Sequence, residues 1–124
     1  MKYLNTILIL FEIALIFVLS KPRTIYIQNT NYYIKTAIIT GYSSTEDQTD
    51  STPFLTASQK QVKKGIIACP REIPFGTKVE IEGKTYICED RMSKKFNDRF
   101  DIWFESTEEA LEWGRQTKMV VVYK

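Results

Sequence analysis

From residue 33 onward, apolar positions come in short bursts separated by turn-forming clusters. This is the pattern of several short strands rather than of long helices. Residues 33–42 (YIKTAIITGY) are rich in β-branched and aromatic side chains and predict a first strand. A long polar loop, SSTEDQTDSTP, fills 43–53. Long ordered loops tend to carry function. A short apolar strand follows over 65–69, and PREIPFG makes a turn with two prolines. Residues 78–81 and 85–89 flank Glu82-Gly83-Lys84 and predict a hairpin. A basic loop over 91–99 leads to FDIWF at 100–104. The sequence Ser106-Thr107-Glu108-Glu109 is a capping box for one short helix. Its apolar face would be Ala110, Leu111 and Trp113, with Gly114 ending it. The closing strand is 118–123, where Val120, Val121 and Val122 in a row suggest burial on both faces. The fold class expected is mainly β, a barrel or sandwich with one short helix.

The first 20 residues differ. After Met1-Lys2, residues 6–19 are apolar except for Thr6 and Glu12. The run falls short of the ~20 residues that span a bilayer comfortably. It fits the apolar region of a secretory signal, with Lys2 as the charged start and Val18 and Ser20 at a cleavage site after Ser20. The alternative is an uncleaved N-terminal hydrophobic helix over residues 4–19 that anchors the chain in the membrane. Glu12 opposes insertion by ~2.5–3.5 kcal/mol, which its Ile and Leu neighbours can offset. The polar residues 21–32, with Pro22, read as a linker. The expected organisation is therefore signal or anchor (1–20), linker (21–32) and one extracytoplasmic domain (33–124).

Composition narrows the chemistry. Hydrophobic residues at 44% support a packed core, and the net charge of +2 with mixed signs gives no basic face for nucleic acid. The chain has no histidine, which removes Ser-His-Asp and Cys-His catalysis and the usual zinc sites. No metal motif or cofactor is expected. Acid-base work near neutral pH falls to a carboxyl, Cys, Tyr or Lys with a shifted pKa. In an oxidising compartment Cys69 and Cys88 are candidates for a disulfide; two buried thiols, or one reactive thiol, are the alternatives.

Several of these segments together resemble a known family. Thr40-Gly41-Tyr42, Thr56-Ala57-Ser58, Gly65 with Ala68 and Pro70, Ile73-Pro74-Phe75-Gly76-Thr77, Glu89-Asp90, and Asp101 with Trp103 follow one another in its order. The pattern is similar to the three-aspartate (3D) domain, which is related to membrane-bound lytic murein transglycosylase A and more distantly to rare lipoprotein A and expansins. The resemblance implies a six-stranded double-psi β-barrel acting on peptidoglycan glycan strands; a monomer is expected. Three positions depart from it. Cys69 stands where the family has its first aspartate, Gln59 where it has Gly, and Arg91 follows Asp90 where many members have a small residue.

The resemblance implies that Asp101 is the general acid and base and that Asp90 assists it. Asp101 lies between Phe100 and Ile102-Trp103-Phe104, an apolar frame that disfavours its charged form. A lytic transglycosylase needs no protein nucleophile, because the sugar's own 6-hydroxyl attacks. Inverting hydrolysis needs a second carboxylate ~6.5–9.5 Å away to hold water. Thr40, Tyr42, Thr56 and Ser58 are candidates to bond sugar hydroxyls, and Trp103, Trp113 or Tyr42 to stack on a pyranose. The plainer readings are a turn or cap role for Asp101, a salt bridge from Asp90 to Arg91 or Arg99, and core positions for both tryptophans. The rival functions are a non-catalytic, expansin-like glycan-binding barrel and an exported structural protein.

Overall fold

The computed structural model describes residues 31–45 and 54–124. The hydrophobic N-terminal segment, the cleavage position after Ser20 and most of the linker lie outside the described residues, as do positions 46–53 of the long loop. Among the described residues no helix is long and apolar enough to cross a membrane.

Six strands close into a barrel: β1 (Tyr32–Tyr42), β2 (Ile66–Cys69), β3 (Lys78–Ile81), β4 (Lys84–Arg91), β5 (Phe100–Trp103) and β6 (Gln116–Tyr123). A 3₁₀ turn spans Lys94–Phe96, and one helix, α1, spans Thr107–Trp113. Around the barrel the order is β1-β5-β2-β4-β3-β6, with β6 pairing back onto β1. The β1/β5 and β2/β4 pairs are parallel, and the remaining neighbours are antiparallel. Closure removes the unpaired edges that an open sheet would expose.

Side chains alternate across this wall. Ala37, Ile39, Ile67, Val79, Ile81, Phe100, Ile102, Val120 and Val122 fill the interior. The intervening positions on β1, β2 and β5 point outward, where Tyr42, Ile66, Ala68 and Trp103 form a second cluster with Met92. Strand β2 is buried on both faces because that outer cluster covers it. The β3–β4 hairpin turns on Glu82 and Gly83, both at positive φ, between the paired Ile81 and Lys84.

Two expectations are corrected. Val120 and Val122 are buried but Val121 between them is only partly so, so β6 alternates like a strand with one covered face. In α1, Leu111 is 73% exposed, while Ala110 is buried and the Trp113 indole N–H donates to the Ile39 carbonyl at 3.1 Å. A seven-residue helix lying on a barrel has room for only a narrow buried stripe, and Leu111 falls outside it. The helix does begin at its expected cap: the Ser106 hydroxyl accepts the Glu109 amide at 3.2 Å. Gly41 lets it dock, since a Cβ there would stand 2.8 Å from the Phe104 ring and 3.1 Å from the Ala110 carbonyl.

Cys69 and Cys88 are joined by a disulfide between β2 and β4, both fully buried. Beside it the β2/β4 register shifts. Ile67 pairs with Cys88, but Ala68 pairs with Asp90, so Glu89 is the extra residue of a β-bulge. Without the bulge, alternation from the inward Cys88 would turn Asp90 inward too. With it, Asp90 shares the outer face of Ala68.

Candidate functional site

The register lines up four residues across four adjacent strands. Thr40 on β1 is opposite Asp101 on β5, which is opposite Ala68 on β2, which is opposite Asp90 on β4. Residues directly opposite in a sheet share a face, so the two aspartates lie on one outer surface with only a methyl group between them. Two strand spacings put their backbones roughly 10 Å apart.

Their surroundings are opposite in kind. Asp101 is partly buried, and its Oδ1 is sealed from solvent with no hydrogen-bond partner among the described residues. Burial pushes its pKa up to about 7. The neighbouring Thr40 hydroxyl pulls it down, and the negative charge of Asp90 pushes it up again. Asp101 therefore exchanges a proton near neutrality, as an acid that must also act as base requires. Asp90 is held as an acceptor on both oxygens. Its Oδ2 takes the Tyr42 hydroxyl at 2.8 Å, and its Oδ1 takes the backbone N–H groups of Ala57 at 3.0 Å and Arg91 at 2.9 Å. Among the described residues Asp90 forms no ion pair; Arg91 instead lays its guanidinium over the Phe75 ring at 3.8 Å.

The turn over residues 54–62 is clipped to the bulge. Ser58 N–H donates to the Glu89 carbonyl at 3.1 Å, and the Lys60 ammonium pairs with Glu89 Oε1 at 2.9 Å. Glu89 is buried, which alone would raise its pKa. The Ser58 hydroxyl and the Lys60 and Lys63 charges outweigh that and hold it below the usual carboxylate range. Its Oε2 has no partner among the described residues. Sequence reasoning paired Glu89 with Asp90 only as part of a motif and did not single out Lys60 or the Ala57 amide. No local signal marks a bulge or a backbone donor supplied by a distant turn.

The other candidates are distributed as follows. Thr40 stands beside Asp101 and donates weakly to the Phe100 carbonyl at 3.4 Å. Tyr42 is 7% exposed and its hydroxyl is engaged with Asp90. Thr56 is buried, its hydroxyl sharing a hydrogen bond with Ser58 at 2.9 Å and accepting the Lys60 amide at 3.1 Å. Trp103 is buried on the outer cluster and its indole N–H donates to the Ser44 hydroxyl at 2.9 Å. Thr40 and Ser58 thus keep more access to solvent than Tyr42, Thr56 or Trp103.

Two recesses open next to this row rather than on it. One of about 780 Å³ sits at a barrel mouth, walled by Tyr86, Trp103, Phe104 and Trp113 with Glu109 and Glu112 at its rim. The other, of about 620 Å³, is bordered by Lys60, Lys63 and Lys64 with Ile66 and Glu89. Trp103 is two residues beyond Asp101 on its strand, and Glu89 adjoins Asp90. Neither aspartate lines either recess. Among the described residues no three acidic or sulfur ligands converge as a metal site would require.

Compared with known proteins, the chain matches no family model and no curated protein.

Proposed function

We propose that the protein is an exported cell-wall enzyme that cleaves peptidoglycan glycan strands, with Asp101 as its proton donor and acceptor. The barrel is read as the double-psi type of the three-aspartate family, either secreted or held at the membrane by residues 4–19. The observation that carries the proposal is the Asp101 carboxyl: partly buried, its pKa raised by that burial to about 7, and with one oxygen lacking any partner among the described residues. A glycosidic oxygen leaving as an alcohol needs such a group beside it.

Two features support the finer reading. Gln59, where the family pattern has glycine, adopts φ 66, a left-handed conformation natural to glycine. Asp90 accepts three donors, which leaves little capacity to hold an attacking water. One working carboxyl favours attack by the sugar's own 6-hydroxyl, hence lytic transglycosylation over inverting hydrolysis.

A second reading, a glycan-binding barrel without catalysis, is favoured by two other observations. Neither aspartate lines the two recesses described above, and a disulfide occupies the position of the family's first aspartate. Digestion of purified murein sacculi followed by mass analysis separates the two. Anhydro-muropeptides that disappear in Asp101→Asn support the transglycosylase, and ordinary reducing ends point to hydrolysis. Sedimentation with the sacculi without any product supports the binder and removes the enzyme.

A further inference from the structure

Strands β2 and β4 are parallel, while β5 runs against β2 and β6 runs against β1, so the starts of β2, β4 and β6 meet the end of β5 at one mouth of the barrel. Helix α1 joins β5 to β6 there. The recess of about 780 Å³ lies at this mouth, within the ~300–1,000 Å³ common for small-ligand sites. Its wall is aromatic. The Phe104 and Trp113 ring centroids are 6.0 Å apart and the rings tilt by 40°, with Tyr86 and Trp103 completing the wall. The rings are held from behind. The Trp113 indole N–H donates to the Ile39 carbonyl at 3.1 Å, the Trp113 carbonyl accepts the Gln116 side-chain amide at 2.9 Å, and the Trp103 indole N–H donates to Ser44. Both indole N–H groups are therefore spent, and what the wall offers a ligand is ring surface. Phe104, Trp113 and Tyr86 are only half-buried. The rim carries both signs: Lys64 and Lys84 stand with Glu105, Glu109 and Glu112. Lys64 and Glu105 pair at 3.7 Å, whereas Glu109 and Glu112 are exposed and form no ion pair among the described residues.

We propose that this recess is a non-catalytic binding site for uncharged pyranose units of a glycan, which lay a ring face on Phe104 and Trp113 and donate hydroxyl hydrogen bonds to Glu109 and Glu112. Other ligand classes fit it less well. A cation would meet two lysines at the rim, and an anion would meet three glutamates. A plain hydrocarbon would strip water from the rim without replacing its hydrogen bonds. A flat base needs a parallel-sided slot, but Phe104 and Trp113 touch at an angle and form one bent wall. A pyranose has a C–H face, slightly positive, that suits the negative face of an aromatic ring. Its edge of hydroxyls donates to carboxylates and accepts from ammonium groups, which suits a rim of both signs. The site stands apart from the reading of Asp101 as the acid, since neither aspartate lines it. It holds the protein on a glycan by units other than those at Asp101.

The chain has two tryptophans and both line this recess, so they serve as built-in probes. The full chain is titrated at pH 7 with a soluble tetramer of β-1,4-linked N-acetylglucosamine, followed by tryptophan fluorescence and by the two indole N–H peaks in nitrogen-15 NMR. The expected result is a saturable change that moves the Trp113 peak. Glu109→Ala with Glu112→Ala should raise the Kd about fivefold without altering the melting curve, because both side chains are exposed. Lys63→Ala, at the other recess, should leave the Kd unchanged. A Trp113 peak that never moves would overturn the proposal. So would parental affinity in the double glutamate variant, or an equal response to a lysine-bearing peptide or a nucleoside. Asp101→Asn should bind the tetramer as the parent does; loss of the Trp113 response in that variant would put the sugar at Asp101 and overturn the proposal too. Should sacculi yield no product, the enzymatic reading fails alone, and these titrations still decide the role of the recess.

Discussion

Replacing Asp101 by Asn removes a proton that the folded protein holds and the unfolded chain gives up. In the unfolded chain this carboxyl titrates near 3.8, and in the fold near 7. Between those values the native state is protonated at this site and the unfolded state is not, so stability falls as pH rises through the window and levels off above it. At about 1.36 kcal/mol per pH unit, the whole interval corresponds to about 4 kcal/mol as a ceiling. The side chain is partly exposed, and solvent screening reduces the expected effect to roughly 2 kcal/mol. Asn has nearly the same shape and no such titration. Urea denaturation of parent and variant at pH 4, 6 and 8 should therefore show the variant gaining on the parent by roughly 2 kcal/mol between pH 4 and 8. In thermal melts this is a relative shift on the order of 10 °C for a domain of this size. A stability difference that stays constant across the three pH values would mean that Asp101 is ionised throughout. The case for a proton-bearing acid at this position would then fall.

Two further outcomes probe the frame around the site. Serine at both Cys69 and Cys88, or reduction of the parent, should lower stability by roughly 3 kcal/mol on the chain-entropy model, given the separation of 19 residues; equal denaturant midpoints with and without reductant would show that no bond closes that loop. Gly41→Ala should destabilise by about 1–3 kcal/mol through overpacking, because the Phe104 ring it meets is itself packed against Trp113 and the Ala110 carbonyl belongs to the helix backbone. Parental melting of that variant would show that α1 can lift from β1 without penalty.

The strands and the helix were legible because their signals are local. Alternation of apolar and polar positions marks a strand within a few residues, and Ser106 three positions ahead of Glu109 marks a helix start. Differences at strand ends are small: β4 runs Lys84–Arg91 where 85–89 was expected, and β6 starts at Gln116 rather than 118. A raised Asp101 pKa was expected from its apolar sequence neighbours, and burial does raise it, but Phe100 and Ile102 face the barrel interior while Asp101 stands on the outer face, so those two neighbours are not what buries it. What the sequence left open is non-local. Whether Val121 is covered, and whether Leu111 touches the barrel, depends on which neighbours arrive opposite them.

The different surroundings of Asp90 and Asp101 were decided by tertiary structure alone. A single extra residue at Glu89 turns Asp90 to the outer face, and nothing in the run Cys88-Glu89-Asp90 announces it, since a one-residue slip inverts every side chain beyond it. Two of the three donors to Asp90 come from positions 48 and 33 residues away along the chain. Among the described residues Asp101 Oδ1 has no donor, and no local pattern encodes that. Hydrophobic periodicity alone determined that this chain builds a small β domain; only the closing of the barrel buried the Asp101 carboxyl and so raised its pKa.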